Sequence, residues 1–305
     1  MQTDVGRAIR VLFIALLFCL PGVGHAQYIA LSFDDGLDPR SEPRAASWNA
    51  SILGALKEAG VSSILYPAGK RVDSAAGLEL VRDWGEAGHA VGNHTYSHHN
   101  LNSKRVTLKQ FIADTEKNEQ LLRDMPGWTK RLRFPYLKEG DTAAKRDGFR
   151  RWLTGHGYQS GAVSVDASDW YYNQRYLAWR EAHPGEDEEM VRDAYLDHLW
   201  DRTLYYDGLS REILHRRVKH VLLLHTNAIN AAFLPDIIAM YRSKGWMVIS
   251  PESAYSDPVY VMVPTVLPAG ESLLWSLAKQ HGIGGLRYPA EDSVYEKPLL
   301  DELGL

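Results

Sequence analysis

The sequence predicts an α/β fold, an irregular (β/α) barrel of about seven parallel strands with a long helical insertion and a C-terminal extension. Three observations predict it. From Tyr28 onward, short apolar or β-branched runs alternate with longer stretches of helical period. No linker rich in Gly, Pro or Ser interrupts that alternation. Unusual polar clusters stand at the carboxyl ends of several different runs, which fits a barrel better than the single crevice of an open sheet.

The first 26 residues read as an export signal: Arg7 and Arg10 give a positive start, Val11 to Leu20 is apolar, and Pro21 to Ala26 is small and turn-prone. The apolar run is shorter than the roughly 20 residues a spanning helix needs. Cleavage after Ala26, a periplasmic or secreted location and no stable membrane span in the mature chain are expected. Cys19, the only cysteine, falls in this segment, so no disulfide would brace the mature protein, and one large core is favoured over several small ones.

Strands are expected at 28–33, 62–66, 90–93, 131–134, 160–165, 221–225 and 246–249, and helices near 43–59, 74–87, 106–124, 142–156, 187–219 and 231–244. The main domain would run over 27–257, with the helical insertion at about 171–220. Within it Val191, Tyr195, Leu199 and Leu196, Trp200, Leu204 repeat at four-residue spacing, a core-packing stripe. The acidic run Glu186 to Glu189 follows Pro184 and Gly185 and suits a solvated first helical turn. The extension, 258–305, is expected to hold a strand at 259–263 and a helix near 272–280, with no assigned role.

Of the 305 residues 45% are hydrophobic and 24% charged, which is globular composition. A net charge of −4 leaves no broad basic surface and argues against nucleic acid as a partner. The chemistry concentrates in two clusters. Ser32-Phe33-Asp34-Asp35-Gly36 ends the first strand with adjacent carboxylates; on extended chain their side chains point apart, so one can hold a metal while the other faces a bound water. Alone, the Asp-Asp-Gly could equally be a turn. His94-Thr95-Tyr96-Ser97-His98 sets two imidazoles at i and i+4, on one face if the turn is helical. One carboxylate and two imidazoles make a three-ligand site with open positions, the catalytic type.

In these residues the chain resembles the polysaccharide deacetylases, carbohydrate esterase family four, also called the NodB-homology domain. Asp34-Asp35-Gly36 after Ser32-Phe33 is similar to T-F-D-D-G, and His94 to His98 to H-[ST]-x-x-H. Arg133-Phe134-Pro135-Tyr136 resembles R-x-P-Y, Asp166-Ala167-Ser168-Asp169-Trp170 resembles D-x-x-D-W, and Leu223-Leu224-His225 matches L-x-H. The five occur in order between residue 28 and about 255.

The resemblance implies metal-dependent removal of N-acetyl, or alternatively O-acetyl, groups from a polysaccharide or oligosaccharide. It assigns Asp35, His94 and His98 to a divalent metal, zinc foremost, with cobalt, nickel or manganese also compatible with that donor set. It makes Asp34 the general base, with Arg133 beside it lowering its pKa. His225 becomes the general acid, its pKa raised by Asp169 or alternatively Asp166. The Tyr136 main-chain N–H would stabilise an oxyanion, a contribution of about 3 kcal/mol in the transition state, while Trp170 and Leu223 would wall a pocket for the acetyl methyl group.

Two features depart from the pattern. Leu137, Lys138 and Glu139 follow the third motif where the family usually has Gly, so substrate geometry there is expected to differ. Tyr171, Tyr172, Tyr176 and Trp179 follow Trp170 and suit either a carbohydrate platform or a core. His89, His156, His183, His198, His215, His220 and His281 have no partners at ligand spacing and read as surface or packing residues, while His99 could support the metal site from behind. Two other functions stay open: a glycan-binding protein that has lost catalysis, and an iron oxygenase built on two His and one carboxylate, in which the second Asp and the distant His225 have no task. Peptidoglycan, chitin oligomers, a secreted exopolysaccharide and acetylated xylan all remain candidate substrates.

Overall fold

The computed structural model describes residues 27–288 and 294–305; the export segment expected at 1–26, with Cys19, lies outside them. The central strand β1 (Gln27–Asp35) is apolar from Ile29 to Leu31 and again at Phe33 because neighbours cover both its faces and both its edges. In chain order follow α1 (Ala45–Ala59), β2 (Ile64–Pro67), α2 (Gly69–Val72), α3 (Ala75–Glu86), β3 (Ala90–Asn93), α4 (Leu108–Leu122) and β4 (Trp128–Leu132). Next come β5 (Lys138–Gly140), α5 (Ala143–Gly155), β6 (Gln159–Ser160), α6 (Asp169–Ala182), α7 (Glu189–Leu214), β7 (Lys219–His225), α8 (Ala228–Ser243) and β8 (Trp246–Val248). The chain continues through α9 (Pro251–Tyr255), β9 (Ala269–Gly270), α10 (Leu273–Gln280) and α11 (Glu296–Glu302).

Seven of these strands form one parallel sheet in the order β6-β4-β3-β2-β1-β7, with β8 on the early part of the β1 edge whose later part pairs with β2. The sheet curls: beyond β6 the chain returns to β7, where Val165 bridges Leu222 and the Leu223 N–H donates to the Val165 carbonyl at 3.1 Å. This is the irregular (β/α) barrel the alternation predicted. Strand alternation divides its core. Ile29, Leu31 and Phe33 face the helices, while Ala30, Val221 and Leu223 face the interior with Tyr255. Asp34 and His225 are the last members of that interior set, paired in register across β1 and β7.

Several element boundaries differ from the sequence reading, each for a local reason. The strand expected at 131–134 is Trp128–Leu132, since Pro135 has no N–H to extend the ladder and the Arg133 carbonyl accepts from the His94 side chain. The strand expected at 160–165 survives as Gln159–Ser160 and the Val165 bridge; between them Ser164 Oγ, rather than a strand carbonyl, takes the Val221 N–H at 2.9 Å. At 259–263 there is no strand. Asp257 caps the Val259 N–H at 2.9 Å and Pro258 opens a 3-10 helix over Pro258–Val261. Helix α6 was not foreseen because its aromatic run carries no clear period.

The insertion comprises α6 and α7 and packs on the barrel. Val191, Tyr195 and Leu199 are buried as the stripe predicted, whereas Leu204 is 42% exposed. Tyr171, Tyr172, Tyr176 and Trp179 are all buried, so they build core rather than a sugar platform. No helix among the described residues is long and apolar enough to cross a membrane.

The extension is stitched to the barrel by the antiparallel pair β5 and β9. Gly270, at φ 121°, packs so closely that an added Cβ would lie 2.0 Å from the Leu137 carbonyl oxygen. Gly270→Ala should therefore destabilise the protein by about 2 kcal/mol, read as a lower urea midpoint; an unchanged midpoint would show that the pair contributes little.

Candidate active site

The carboxyl ends of the barrel strands deliver the motif residues to one cleft of about 610 Å³. At the end of β1 the two carboxylates converge instead of pointing apart. Asp35 leaves extended geometry at φ 80°, and His94 Nε2 lies 3.7 Å from Asp34 Oδ2 and 3.7 Å from Asp35 Oδ1. Gly36 follows at φ 74°, where a Cβ would press on Val72, so the turn requires glycine.

The segment from His94 to His98 is a loop, not a helical turn, and the two imidazoles meet because Thr95 and His98 take positive φ of 60° and 55°. Side chains hold this shape: Asn93 Oδ1 accepts from the Thr95 N–H at 2.9 Å, and Asp114 accepts from the Ser97 N–H and hydroxyl at 2.8 and 2.7 Å. His98 Nε2 sits 3.3 Å from Asp35 Oδ1. Ligand atoms of Asp35, His94 and His98 all lie within 4.8 Å of one another. His99 is exposed and outside this group.

The donor set fits a divalent cation. Asp35 Oδ1 is buried and has no hydrogen-bond donor, a costly state for a carboxylate oxygen unless a cation completes it. The His94 Nδ1–H can donate to the Arg133 carbonyl at 2.8 Å, which leaves Nε2 free as a ligand. Burial pushes the His94 and His98 imidazoles below their usual range, favouring the neutral, ligating form. Burial raises the Asp35 carboxyl, but His225, Arg71 and the two histidines outweigh it and hold the group down at about 2.

Arg133 is buried and spends its guanidinium inside the barrel. Nη1 donates to Asp34 Oδ1 at 2.9 Å, Nη2 to Ser32 Oγ at 2.9 Å and Nε to the Gly161 carbonyl, with the Tyr66 ring 4.5 Å below. Ser32, where the motif has threonine, keeps the hydroxyl and passes its own proton to the Leu222 carbonyl at 2.8 Å. The expected lowering of Asp34 is reversed in sum. Burial pushes its carboxyl up to about 6, against the downward pull of Arg133 and His225.

Across the cleft, His225 Nδ1 is 2.5 Å from Asp169 Oδ1. Asp169 is fully buried yet satisfied: its Oδ2 accepts from the His225 N–H at 2.8 Å and from the Asn227 and Asn230 side chains at 3.1 and 2.7 Å. Burial opposes charge on His225, but Asp169, Asp35 and Asp34 push it up to about 10. The partner of His225 is thus Asp169; Asp166 instead accepts from the Ser168 N–H at 3.3 Å. Burial, with Glu271 nearby, pushes Asp166 up to about 7.

Tyr136, Trp170 and Leu223 line the same cleft. Tyr136 is 58% exposed, takes φ 56° and sets its ring at a tilt against His98, 4.5 Å between centroids; Trp170 is 41% exposed and Leu223 is buried. Sequence reasoning missed Arg71, whose Nη2 is 3.2 Å from Asp35 Oδ2, and the Asp169 donors Asn227 and Asn230. The asparagines carried a signal: Asn227 opens α8 and caps the Asn230 N–H, directly after the fifth motif. Arg71 carried none. Of the histidines read as surface or packing, His198 and His220 are buried with acidic partners, Glu296 at 3.1 Å and Asp207 at 3.6 Å.

Residues 22–152 match the family model "Polysaccharide deacetylase", a span that includes the first three motifs. The chain is similar to a peptidoglycan-N-acetylglucosamine deacetylase of Bacillus cereus, 30% identical over 47% of this chain and 46% of that protein. A chitin deacetylase of Colletotrichum lindemuthianum is 26% identical over 48% of this chain and 54% of its own length. The chain thus spans about half the length of the curated relatives it matches. Among solved structures, a polysaccharide deacetylase of Bacillus cereus superposes with a TM-score of 0.53 at 21% identity, covering 74% of this chain and 94% of that one. The curled parallel sheet and its helices are that fold.

Proposed function

We propose, from the match of residues 22–152 to the polysaccharide deacetylase model and the likeness to a peptidoglycan-N-acetylglucosamine deacetylase, that the chain is an exported, metal-dependent hydrolase removing acetyl groups, N-acetyl foremost, from a cell-envelope or extracellular glycan. The observation that carries this reading is the orphaned Asp35 Oδ1 between two imidazoles, facing the same cleft as Asp34 and the His225–Asp169 pair.

Asp35, His94 and His98 would hold the divalent cation, zinc foremost, with cobalt, nickel or manganese as alternatives. Such an ion, when bound, supplies a water of lowered pKa and polarises the acetyl carbonyl. Asp34 takes the proton from the attacking water. Arg133 clamps one oxygen of that carboxylate at 2.9 Å, so the other faces the cleft in a fixed direction. His225, held by Asp169 and positively charged, gives its proton to the departing amine or alkoxide. The positive φ of Tyr136 shapes the main chain beside His98 for an oxyanion contact. Leu223 and Trp170 offer apolar surface to the acetyl methyl group.

In place of the intact motifs, a catalytically lost glycan-binding protein would lack a base or an acid; Asp34 and His225 are both here and both partnered. An iron oxygenase would leave this pair without a task. Acetate release from a panel of acetylated glycans by the mature chain tests the proposal: release from at least one member is expected. Oxygen consumption without acetate release would overturn it.

A further inference from the structure

The loop that departs from the family pattern, Leu137-Lys138-Glu139, and the extension with no assigned role are one construction. Lys138 pairs with Gly270 in the β5–β9 ladder, and the Glu271 N–H donates to the Leu137 carbonyl at 2.9 Å. This seam brings three cleft-lining side chains together. Lys138 Nζ donates to Glu271 and, at 2.9 Å, to the Tyr288 hydroxyl, which lies 3.2 Å from Glu271 Oε1. The Tyr288 ring stands edge-on to Trp275 at 6.1 Å and is still 44% exposed.

An aromatic ring tethered at its hydroxyl, with an open face on a polar cleft, loses little freedom when a ligand covers it. A sugar ring suits such a place: its C–H face packs on the aromatic ring, and its hydroxyls bond to the charged groups beside it. Lys138 is two residues from Tyr136, whose ring contacts His98, so the platform adjoins the reacting centre. The charges of the cleft favour one class of glycan. Beyond the reacting centre, where His225 and a bound cation offset Asp34 and Asp35, the cleft is lined by Asp38, Glu42 and Glu271 against Arg71 and Lys138, a balance that offers a polyanionic chain no net attraction.

We propose, resting on the deacetylase reading, that Tyr288 with Lys138 and Glu271 forms a sugar-binding subsite for a ring neighbouring the one deacetylated. The substrate is then an oligomer or polymer of neutral amino sugars, and the C-terminal extension sets the preference for chain over monomer.

The test compares kcat/KM for acetate release from an N-acetylglucosamine pentamer with kcat/KM for 4-nitrophenyl acetate, in wild type, Tyr288→Ala and Tyr288→Phe. The ratio of pentamer to ester should fall about tenfold in Tyr288→Ala, the order expected of one aromatic contact, and Tyr288→Phe, which keeps the ring face but loses the hydroxyl tether, should restore part of it. An unchanged ratio in Tyr288→Ala, or activity on the ester with none on the pentamer in wild type, overturns the proposal. If wild type releases acetate from neither substrate, the deacetylase reading fails by itself. Calorimetric titration with the pentamer then decides the subsite: binding about tenfold weaker in Tyr288→Ala supports it, and equal binding overturns it.

Discussion

Asp34→Asn should lower kcat for acetate release by about a thousandfold, the loss expected when a positioned general base is removed and equal to about 4 kcal/mol of barrier. Asn keeps an oxygen to accept from Arg133 Nη1, now 2.9 Å from the carboxylate, so the fold should survive; Ala there would leave a buried guanidinium without its partner and cost about 3 kcal/mol or more of stability. The check is kcat measured alongside a urea midpoint. A folded Asp34→Asn with near wild-type kcat would remove Asp34 from the role of base.

Asp169→Asn is expected to have the second large effect, about a hundredfold or more on kcat. Asp169 Oδ1 meets the His225 ring at 2.5 Å while Oδ2 gathers three further donors. An amide can accept some of these bonds but offers no negative charge, so the imidazolium loses the partner that raises its pKa. Since the charge of Asp169 holds His225 protonated, the alkaline limb of the kcat profile should move to lower pH. Asp166→Asn should leave that limb in place, because Asp166 bonds to the Ser168 N–H instead. A shift in Asp166→Asn with none in Asp169→Asn would reverse the assignment.

Much of the fold was legible because a barrel strand carries two signals at once. In β1 the odd residues Ile29, Leu31 and Phe33 face helices and the even ones face the interior, so the polar pair Asp34-Asp35 stands out where the apolar run stops. The same holds for His94 after β3 and His225 at the end of β7. What the sequence could not convey was conformation at single residues. The approach of Asp35 to His94, and of His98 to both, depends on positive φ at Asp35, Thr95 and His98, a conformation uncommon enough for any residue but glycine that a motif does not announce it, least of all at the β-branched Thr95. Long-range partners were equally hidden: Arg71 on Asp35, and Glu271 on Lys138, which lies 133 positions earlier in the chain. The net rise of the Asp34 pKa was missed because burial, which outweighs Arg133, cannot be read from a motif.

The most direct test of the central claim is a metal titration of the chelator-treated mature chain, followed calorimetrically and by acetate release, in wild type and Asp35→Ala. The result expected is one divalent cation per chain in wild type, with activity lost on chelation and regained on metal addition, and binding weakened about a hundredfold in Asp35→Ala. Full acetate release by the metal-free protein, or equally tight binding by Asp35→Ala, would contradict the assignment of Asp35, His94 and His98 as the catalytic metal site.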